Sequence, residues 1–163
     1  MKGSKIGFLL LFSILLAGIS SGAQEKSPIV GRMVVKKVVV QDNVEEFVSA
    51  DSVNPDDVME YIVTYVNHSD KDVKDIKIIG PIPEGSEYID GSEVSSESLL
   101  FEASIDAAQT FMEPPIYYEV VLPGGNVEMK LAGPEMYTHL RWVLLHPFAP
   151  DQEIEVKYRV RVK

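Results

Sequence analysis

The last ten residues of the chain, 154–163, read IEVKYRVRVK and alternate apolar and charged side chains without interruption. Successive side chains of a β-strand point to opposite faces, so an extended segment with this pattern has one apolar face and one charged face. The apolar set is Ile154, Val156, Tyr158, Val160 and Val162, and the charged set is Glu155, Lys157, Arg159, Arg161 and Lys163. This pattern predicts a strand that covers a hydrophobic core on one side and meets water on the other, as in an antiparallel sandwich.

A second segment with the same period lies nearer the middle of the chain. Residues 58–67, VMEYIVTYVN, place Met59, Tyr61, Val63 and Tyr65 on one face, whereas a helix needs apolar residues at spacings of three and four. Further short strands are predicted at residues 33–40, 73–79, 86–89, 98–104, 116–121, 127–131 and 139–145. Turn-forming proline and glycine residues separate them. The sequence therefore predicts an all-β fold, an antiparallel β-sandwich of about seven to nine strands.

The first 23 residues have the three-part layout of an export signal. Lys2 and Lys5 give a basic start, and residues 6–19 form an apolar run that ends in small residues. Signal peptidase accepts small side chains at the positions that Ser21 and Ala23 occupy, so we expect cleavage after Ala23. A retained membrane anchor is the alternative, but the apolar run is shorter than the roughly 20 residues that span a bilayer. We therefore expect a secreted or periplasmic protein with no stable membrane anchor after cleavage.

The charge balance argues against nucleic acid as a partner. The chain holds 15 Lys and Arg residues against 25 Asp and Glu residues, and loss of Lys2 and Lys5 with the signal changes the formal charge from −10 to −12. Such a surface repels a phosphate backbone. Residues 78–128 hold ten acids and neither lysine nor arginine, a pattern typical of a solvated acidic face, with a site for a cation or a basic partner as the alternative. No cysteine is present, so disulfides cannot stabilise the fold.

Two separate blocks of the sequence together follow one longer pattern. The first runs from residue 55, PDDVMEYIVTYVNHSDKDVKDIKIIGPIPEGSEYIDGS, and the second combines a tryptophan strand, a proline turn and the alternating C-terminal strand. Together these blocks, about 70 residues, resemble the conserved-repeat, immunoglobulin-like domain of prokaryotic cell-surface proteins catalogued as domain of unknown function eleven. The matched residues that we single out are Pro55, Asp57, Tyr61, Asn67, Pro83, Gly85, Tyr88, Trp142 and Pro150. The family pattern has glycine where this chain has Asp56 and Asp151.

The resemblance implies an immunoglobulin-like sandwich in an extracellular or envelope setting, and it implies no reaction. The matched residues have structural interpretations: the large aromatic residues as core, Pro83 and Gly85 as a chain reversal, and Asn67 as a strand end whose side chain bonds neighbouring backbone. Residues 93–137 exceed the family's usual length, and we interpret them as one or two added hairpins. The expected organisation is a signal-peptide helix at 1–23, a flexible lead-in at 24–31 and one sandwich domain at 32–163.

Candidate chemistry is sparse. His68, His139 and His146 are the only histidines, and no nucleophile motif accompanies them, so we predict neither an enzyme nor a catalytic residue. The sequence has no cysteine and no pair of histidines at helical spacing, so it does not predict a zinc site. Calcium needs only oxygen ligands, so two aspartate clusters are candidate calcium sites, with ordinary solvated loops as the alternative interpretation. Neither cluster has the spacing of the twelve-residue calcium loop. The clusters are Asp70, Asp72 and Asp75, and Asp51, Asp56 and Asp57. We therefore predict no metal and no cofactor.

The segment SIDAAQTF, residues 104–111, is similar to the Asp-box hairpin of sialidases and related β proteins, with Ala108 at the position of the usual glycine. In those folds the box is a structural turn away from the active site. The resemblance therefore implies a hairpin and no catalysis.

These observations predict an exported, non-enzymatic structural or protein-interaction module whose partner is another envelope or extracellular protein. The candidate contact surface lies in the longer middle region, at Leu99, Phe101, Tyr117 and Tyr118, with ordinary strand core as the alternative interpretation. A second hypothesis of another class is a small-ligand binder, either a carbohydrate module or a calcium-dependent adhesin.

Overall fold

The protein is described by a computed structural model that covers residues 28–163, and this part contains eleven β-strands and one short 3-10 helix, Pro134–Met136. The strands are β1 (Ile29–Gln41), β2 (Val44–Ser49), β3 (Val58–Asn67), β4 (Lys77–Pro81), β5 (Ser86–Tyr88), β6 (Val94–Ser95), β7 (Leu99–Ser104), β8 (Tyr117–Val121), β9 (Val127–Leu131), β10 (His139–Leu144) and β11 (Glu153–Val162). No helix in residues 28–163 is long and apolar enough to cross a membrane. The expected signal peptide and its cleavage point lie outside the described residues.

The strands form two sheets and a separate hairpin. The larger sheet has the order β2-β1-β3-β11-β5, with β6 also paired to β11, and the smaller sheet has the order β4-β10-β7. Strands β8 and β9 pair only with each other among the described residues. Every named pairing is antiparallel, which confirms the predicted all-β antiparallel class.

The core lies between the two sheets and is built on the alternating C-terminal strand. Four apolar side chains of β11 have no exposed surface: Ile154, Val156, Tyr158 and Val160. The charged residues of the same strand face away from the core. The Tyr158 ring lies 5.7 Å from the ring of Trp142 in β10 and 5.0 Å from the ring of Tyr61 in β3. Aromatic pairs at such distances add to the stability gained from burial. The sheets therefore pack face to face as a sandwich.

The N-terminal hairpin departs from the sequence prediction. Strand β1 begins at Ile29, so residues 29–31 belong to the sheet rather than to a flexible lead-in. Strands β2 and β6 were not predicted, and they raise the count to eleven, above the expected seven to nine. A two-residue turn joins β1 to β2, with positive φ angles of 51° at Asp42 and 63° at Asn43. Asp and Asn tolerate this left-handed backbone, which gives hairpin turns the twist that antiparallel strands need.

Residues 93–137 contain one separate hairpin, in line with the prediction of one or two. Strand β7 pairs with β10 along its whole length, so residues 99–104 form an edge of the smaller sheet and belong to the sandwich itself. The segment after it meets β7 only at an isolated bridge between Ala103 and Met112. Strands β8 and β9 form a separate hairpin, and the predicted bounds of β9 are confirmed.

Three positions at which the sequence resemblances place glycine have left-handed backbone. The φ angles are 69° at Asp56, 57° at Asp151 and 66° at Ala108. Glycine adopts such angles without steric cost, Asp tolerates them, and the Cβ of Ala108 strains the backbone. The local conformation therefore explains why glycine suits these turns.

Candidate interaction surface

Several residues matched to the surface-domain pattern are buried in the core or bonded to other parts of the chain. Trp142 and Tyr88 are buried in the core, and the carboxylate of Asp57 accepts a hydrogen bond of 2.6 Å from the Lys37 ammonium. This contact and a bond from the Asn54 backbone N–H lower the pKa of Asp57. Each of these groups therefore makes contacts within the fold.

Asn67 joins three separate pieces of chain. Its side chain is fully buried and donates to the carbonyls of Lys71 at 2.9 Å and Phe148 at 2.8 Å. Its Oδ1 accepts from the backbone N–H of Ser69 at 3.0 Å and from the Ser69 hydroxyl at 2.6 Å. Every hydrogen-bonding position of the amide is therefore used, which confirms the predicted strand-end role of Asn67.

Proline and glycine residues close the predicted turns. The Ser86 N–H donates to the Pro83 carbonyl at 3.0 Å, and Gly85 between them has a positive φ of 78°. Pro55 and Pro150 are exposed and precede Asp56 and Asp151, whose φ angles are positive. These four residues shape loops at the ends of strands.

The predicted contact residues separate into two groups. Leu99 and Phe101 are half-buried and pack against the core, and the Phe101 ring lies 5.7 Å from that of Trp142. The alternative interpretation, ordinary strand core, therefore fits these two residues. Tyr118 is also half-buried against the core, whereas Tyr117 in the same strand is 53% exposed.

The exposed side of the β8–β9 hairpin carries five apolar side chains and one glutamate. Three directly opposed pairs share this side: Tyr117 with Leu131, Glu119 with Met129, and Val121 with Val127. The five apolar members are between 53% and 70% exposed. We call these six residues the hairpin face. Tyr117 was predicted as a contact residue, but the other apolar members were not.

The base of this hairpin is anchored and Tyr118 packs against the core, but neither strand pairs with either sheet in residues 28–163. Ile116 and Ala132 are buried, and the Ala132 N–H donates to the Ile116 carbonyl at 2.8 Å. At the other end, Leu122 and Asn126 close the turn with a backbone hydrogen bond of 2.8 Å. Because neither strand pairs with a sheet in residues 28–163, both long edges of the hairpin are open.

A concave region lies where the hairpin joins the body. Its lining includes Asp90, Pro114, Pro115, Leu131, Pro134 and Tyr137. We call it the proline groove. Burial raises the pKa of Tyr137, and the negative charges of Asp90, Glu135 and Glu93 raise it further. The groove therefore has walls of proline and leucine with one carboxylate, Asp90, in its lining.

The Asp106 side chain closes the turn at residues 104–111. The Asp106 carboxylate accepts from the Ser104 hydroxyl at 2.7 Å and from the Thr110 hydroxyl at 2.6 Å. These bonds and one from the Thr110 N–H lower the pKa of Asp106 to about 2. The Arg141 guanidinium lies 4.1 Å from the Phe111 ring centre, which ties the turn to β10.

Replacing Ala108 by glycine is expected to raise the free energy of unfolding by about 0.5 to 1 kcal/mol, because glycine relieves the left-handed strain at φ 66°. Ala149→Gly provides the control, since Ala149 is exposed and lacks a positive φ. We expect the control to destabilise the protein, because glycine increases the entropy of the unfolded chain. Urea unfolding measures both changes, and equal effects of the two substitutions would contradict the strain at Ala108.

The described residues offer little else for chemistry. They contain no group of three or more His, Cys, Asp or Glu side chains placed to hold a metal ion. His146 approaches Glu97 at 3.8 Å on the surface, and His139 contacts its neighbour Thr138. Comparisons with known protein families, with curated proteins and with solved structures found no match.

Proposed function

We propose that this protein is an exported, non-enzymatic interaction module of the cell envelope or extracellular space, and that the hairpin face is its contact surface. The proposal of export follows from the layout of residues 1–23. The hairpin face carries the proposal of interaction. Contiguous exposed apolar surface is typical of sites where proteins meet other molecules.

The stability of an isolated hairpin supports this interpretation. Two-stranded hairpins are marginally stable in water unless another layer or strand covers them. Strand β9 leaves all five of its residues exposed. A partner that covers Val121, Val127 and Met129 would remove apolar surface from water and stabilise the hairpin at the same time.

The core supports a structural rather than a catalytic role for the sandwich. In residues 28–163 every buried side-chain nitrogen or oxygen has a hydrogen-bond partner. The partly buried ion pair of Glu60 with Arg159, at 2.9 Å, is likewise part of a network with Glu45 on β2. These polar groups connect strands, and their bonds are already used within the chain.

The test compares capture of partners by two matched variants. The double variant Val121→Asp with Met129→Asp places charge on the hairpin face. The control Leu145→Asp places charge outside it, at a residue that is as exposed as Val121, at 70%. Immobilised mature protein is incubated with envelope and culture-medium fractions of the source organism. We expect the double variant to lose at least tenfold of each specifically captured protein, because a buried unpaired charge opposes association.

Leu145→Asp is expected to capture the same proteins as the unaltered chain. Undiminished capture by the hairpin variant, at an unchanged melting temperature, would contradict the proposal. Loss of capture by both variants alike would also exclude the hairpin face as the specific contact.

A further inference from the structure

We propose that the partner of the hairpin face presents an extended apolar segment followed by a lysine or arginine, whose charged group enters the proline groove. This inference rests on the proposed function and adds the chemistry of the partner. The hairpin face receives the apolar side chains, and the acidic groove receives the cation.

The two surfaces are continuous at one residue. Leu131 belongs to the hairpin face, where it lies opposite Tyr117, and it also lines the proline groove with Tyr137 and Pro134. A segment that runs along the hairpin toward its base therefore reaches the groove without leaving the surface. Side chains of an extended segment alternate in direction, so some contact the apolar face while others point to solvent.

The charges along this path are negative. Glu119 lies within the hairpin face, opposite Met129, and Asp90 is exposed beside the groove. Residues 78–128 contain neither lysine nor arginine. The nearest base in the hairpin, Lys130, is opposite Tyr118 and so lies on the other side of the ribbon. A cation on the partner would meet these carboxylates without competition from a base on the same face.

A second copy of this chain is a poorer occupant. The whole chain has a formal charge of −10, so two copies repel each other and each brings the same acidic groove. The basic side of β11 is also largely engaged within its own chain. Lys157 pairs with Glu155 and Arg159 with Glu45 and Glu60, while Lys163, which follows the strand, pairs with Glu87. The negative charge likewise disfavours a surface of anionic lipid.

The test uses two synthetic peptides that differ only in their terminal charge. Both contain eight alternating valine and threonine residues and a fluorophore, and one ends in two arginines whereas the other ends in two glutamates. Fluorescence anisotropy with the full mature chain is expected to show at least tenfold tighter binding of the arginine peptide in low salt. This preference is expected to fall as salt increases, since ions screen exposed charges.

Two substitutions locate the binding. Asp90→Asn is expected to reduce the preference for the arginine peptide severalfold, while the control Asp51→Asn, at an exposed residue outside the groove, leaves it unchanged. Val121→Asp with Met129→Asp is expected to abolish binding of both peptides. Equal binding of the two peptides, or binding of neither, overturns the proposed partner chemistry.

Failure of this inference can be separated from failure of the proposed function. If the hairpin variant loses captured proteins but the peptides bind equally, the hairpin face remains the contact surface and only the cationic partner is wrong. If the chain self-associates with increasing concentration, and the double variant Val121→Asp with Met129→Asp abolishes this association, a second copy is the partner and the inference is overturned. Flotation of the chain with phosphatidylglycerol vesicles, lost in the same variant, overturns it in favour of a membrane.

Discussion

Replacing Asn67 by alanine is expected to lower the free energy of unfolding by about 3 kcal/mol, a large fraction of the stability of an ordinary domain. The substitution removes the donors to the carbonyls of Lys71 and Phe148 and the acceptor for Ser69. A buried polar group without a partner costs about 1 to 3 kcal/mol. Urea unfolding followed by the fluorescence of Trp142, the only tryptophan, measures the loss.

Two further variants separate hydrogen bonding from volume. Asn67→Asp keeps the shape of the side chain but turns a carboxylate oxygen toward two carbonyl oxygens, so we expect a loss at least as large at neutral pH. Asn126→Ala alters an exposed residue in the β8–β9 turn and is expected to change stability by less than about 0.5 kcal/mol. An unfolding midpoint of Asn67→Asp equal to that of the unaltered chain would show that volume alone matters at this position.

Replacing Gly80 by alanine is expected to destabilise the protein by about 3 kcal/mol, at the upper end of the usual cost of overpacking. A Cβ at this position would lie 2.6 Å from the Tyr158 ring and 3.1 Å from the Trp142 ring. The Tyr158 ring cannot withdraw easily, because it stacks on Tyr61 and its hydroxyl donates to the Pro81 carbonyl at 2.7 Å. Gly80 thus sets how closely the two sheets approach.

A double-mutant cycle identifies Tyr158 as the group that the added methyl meets. Tyr158→Leu is destabilising alone, since it removes the ring and its hydrogen bond. In that background, we expect Gly80→Ala to cost at least 1 kcal/mol less than in the unaltered chain, because contacting residues couple in this way. The control is Gly31→Ala, where the nearest atoms belong to the half-buried Tyr65 ring at 3.2 Å and can move. Strict additivity of Gly80→Ala and Tyr158→Leu would place the clash elsewhere.

The parts of the fold with a clean alternation could be predicted from the sequence. The bounds of β3 are confirmed, and those of β11 differ by one residue at each end, since each strand has one face against the core. Strand β2, VEEFVS, has no such signal because all six of its residues are exposed. Its presence depends on the turn at Asp42 and Asn43, a local feature that the pattern of apolar residues does not report.

The site was harder to predict because exposure is not a local property. Strand β9 reads VEMKL, and its alternating Val127, Met129 and Leu131 have the pattern of a core strand. They are exposed because no second sheet covers the hairpin among the described residues. Leu99 and Phe101 have equally apolar surroundings in the sequence, but pairing with β10 turns them to the core. Only the arrangement of the sheets distinguishes these two cases.

The buried amide of Asn67 also determines which hosts can produce this protein. Residues 67–69, Asn-His-Ser, form an acceptor sequence for N-linked oligosaccharide, which eukaryotic secretory pathways attach to the asparagine nitrogen. In the native protein this nitrogen has no exposed surface and both of its hydrogens are bonded to carbonyls. A chain that receives a sugar at Asn67 before it folds therefore cannot close the loops around that residue. We therefore expect any glycosylation of Asn67 in yeast or animal cells to lower the yield of folded protein, and export from bacteria that lack this modification to avoid the loss.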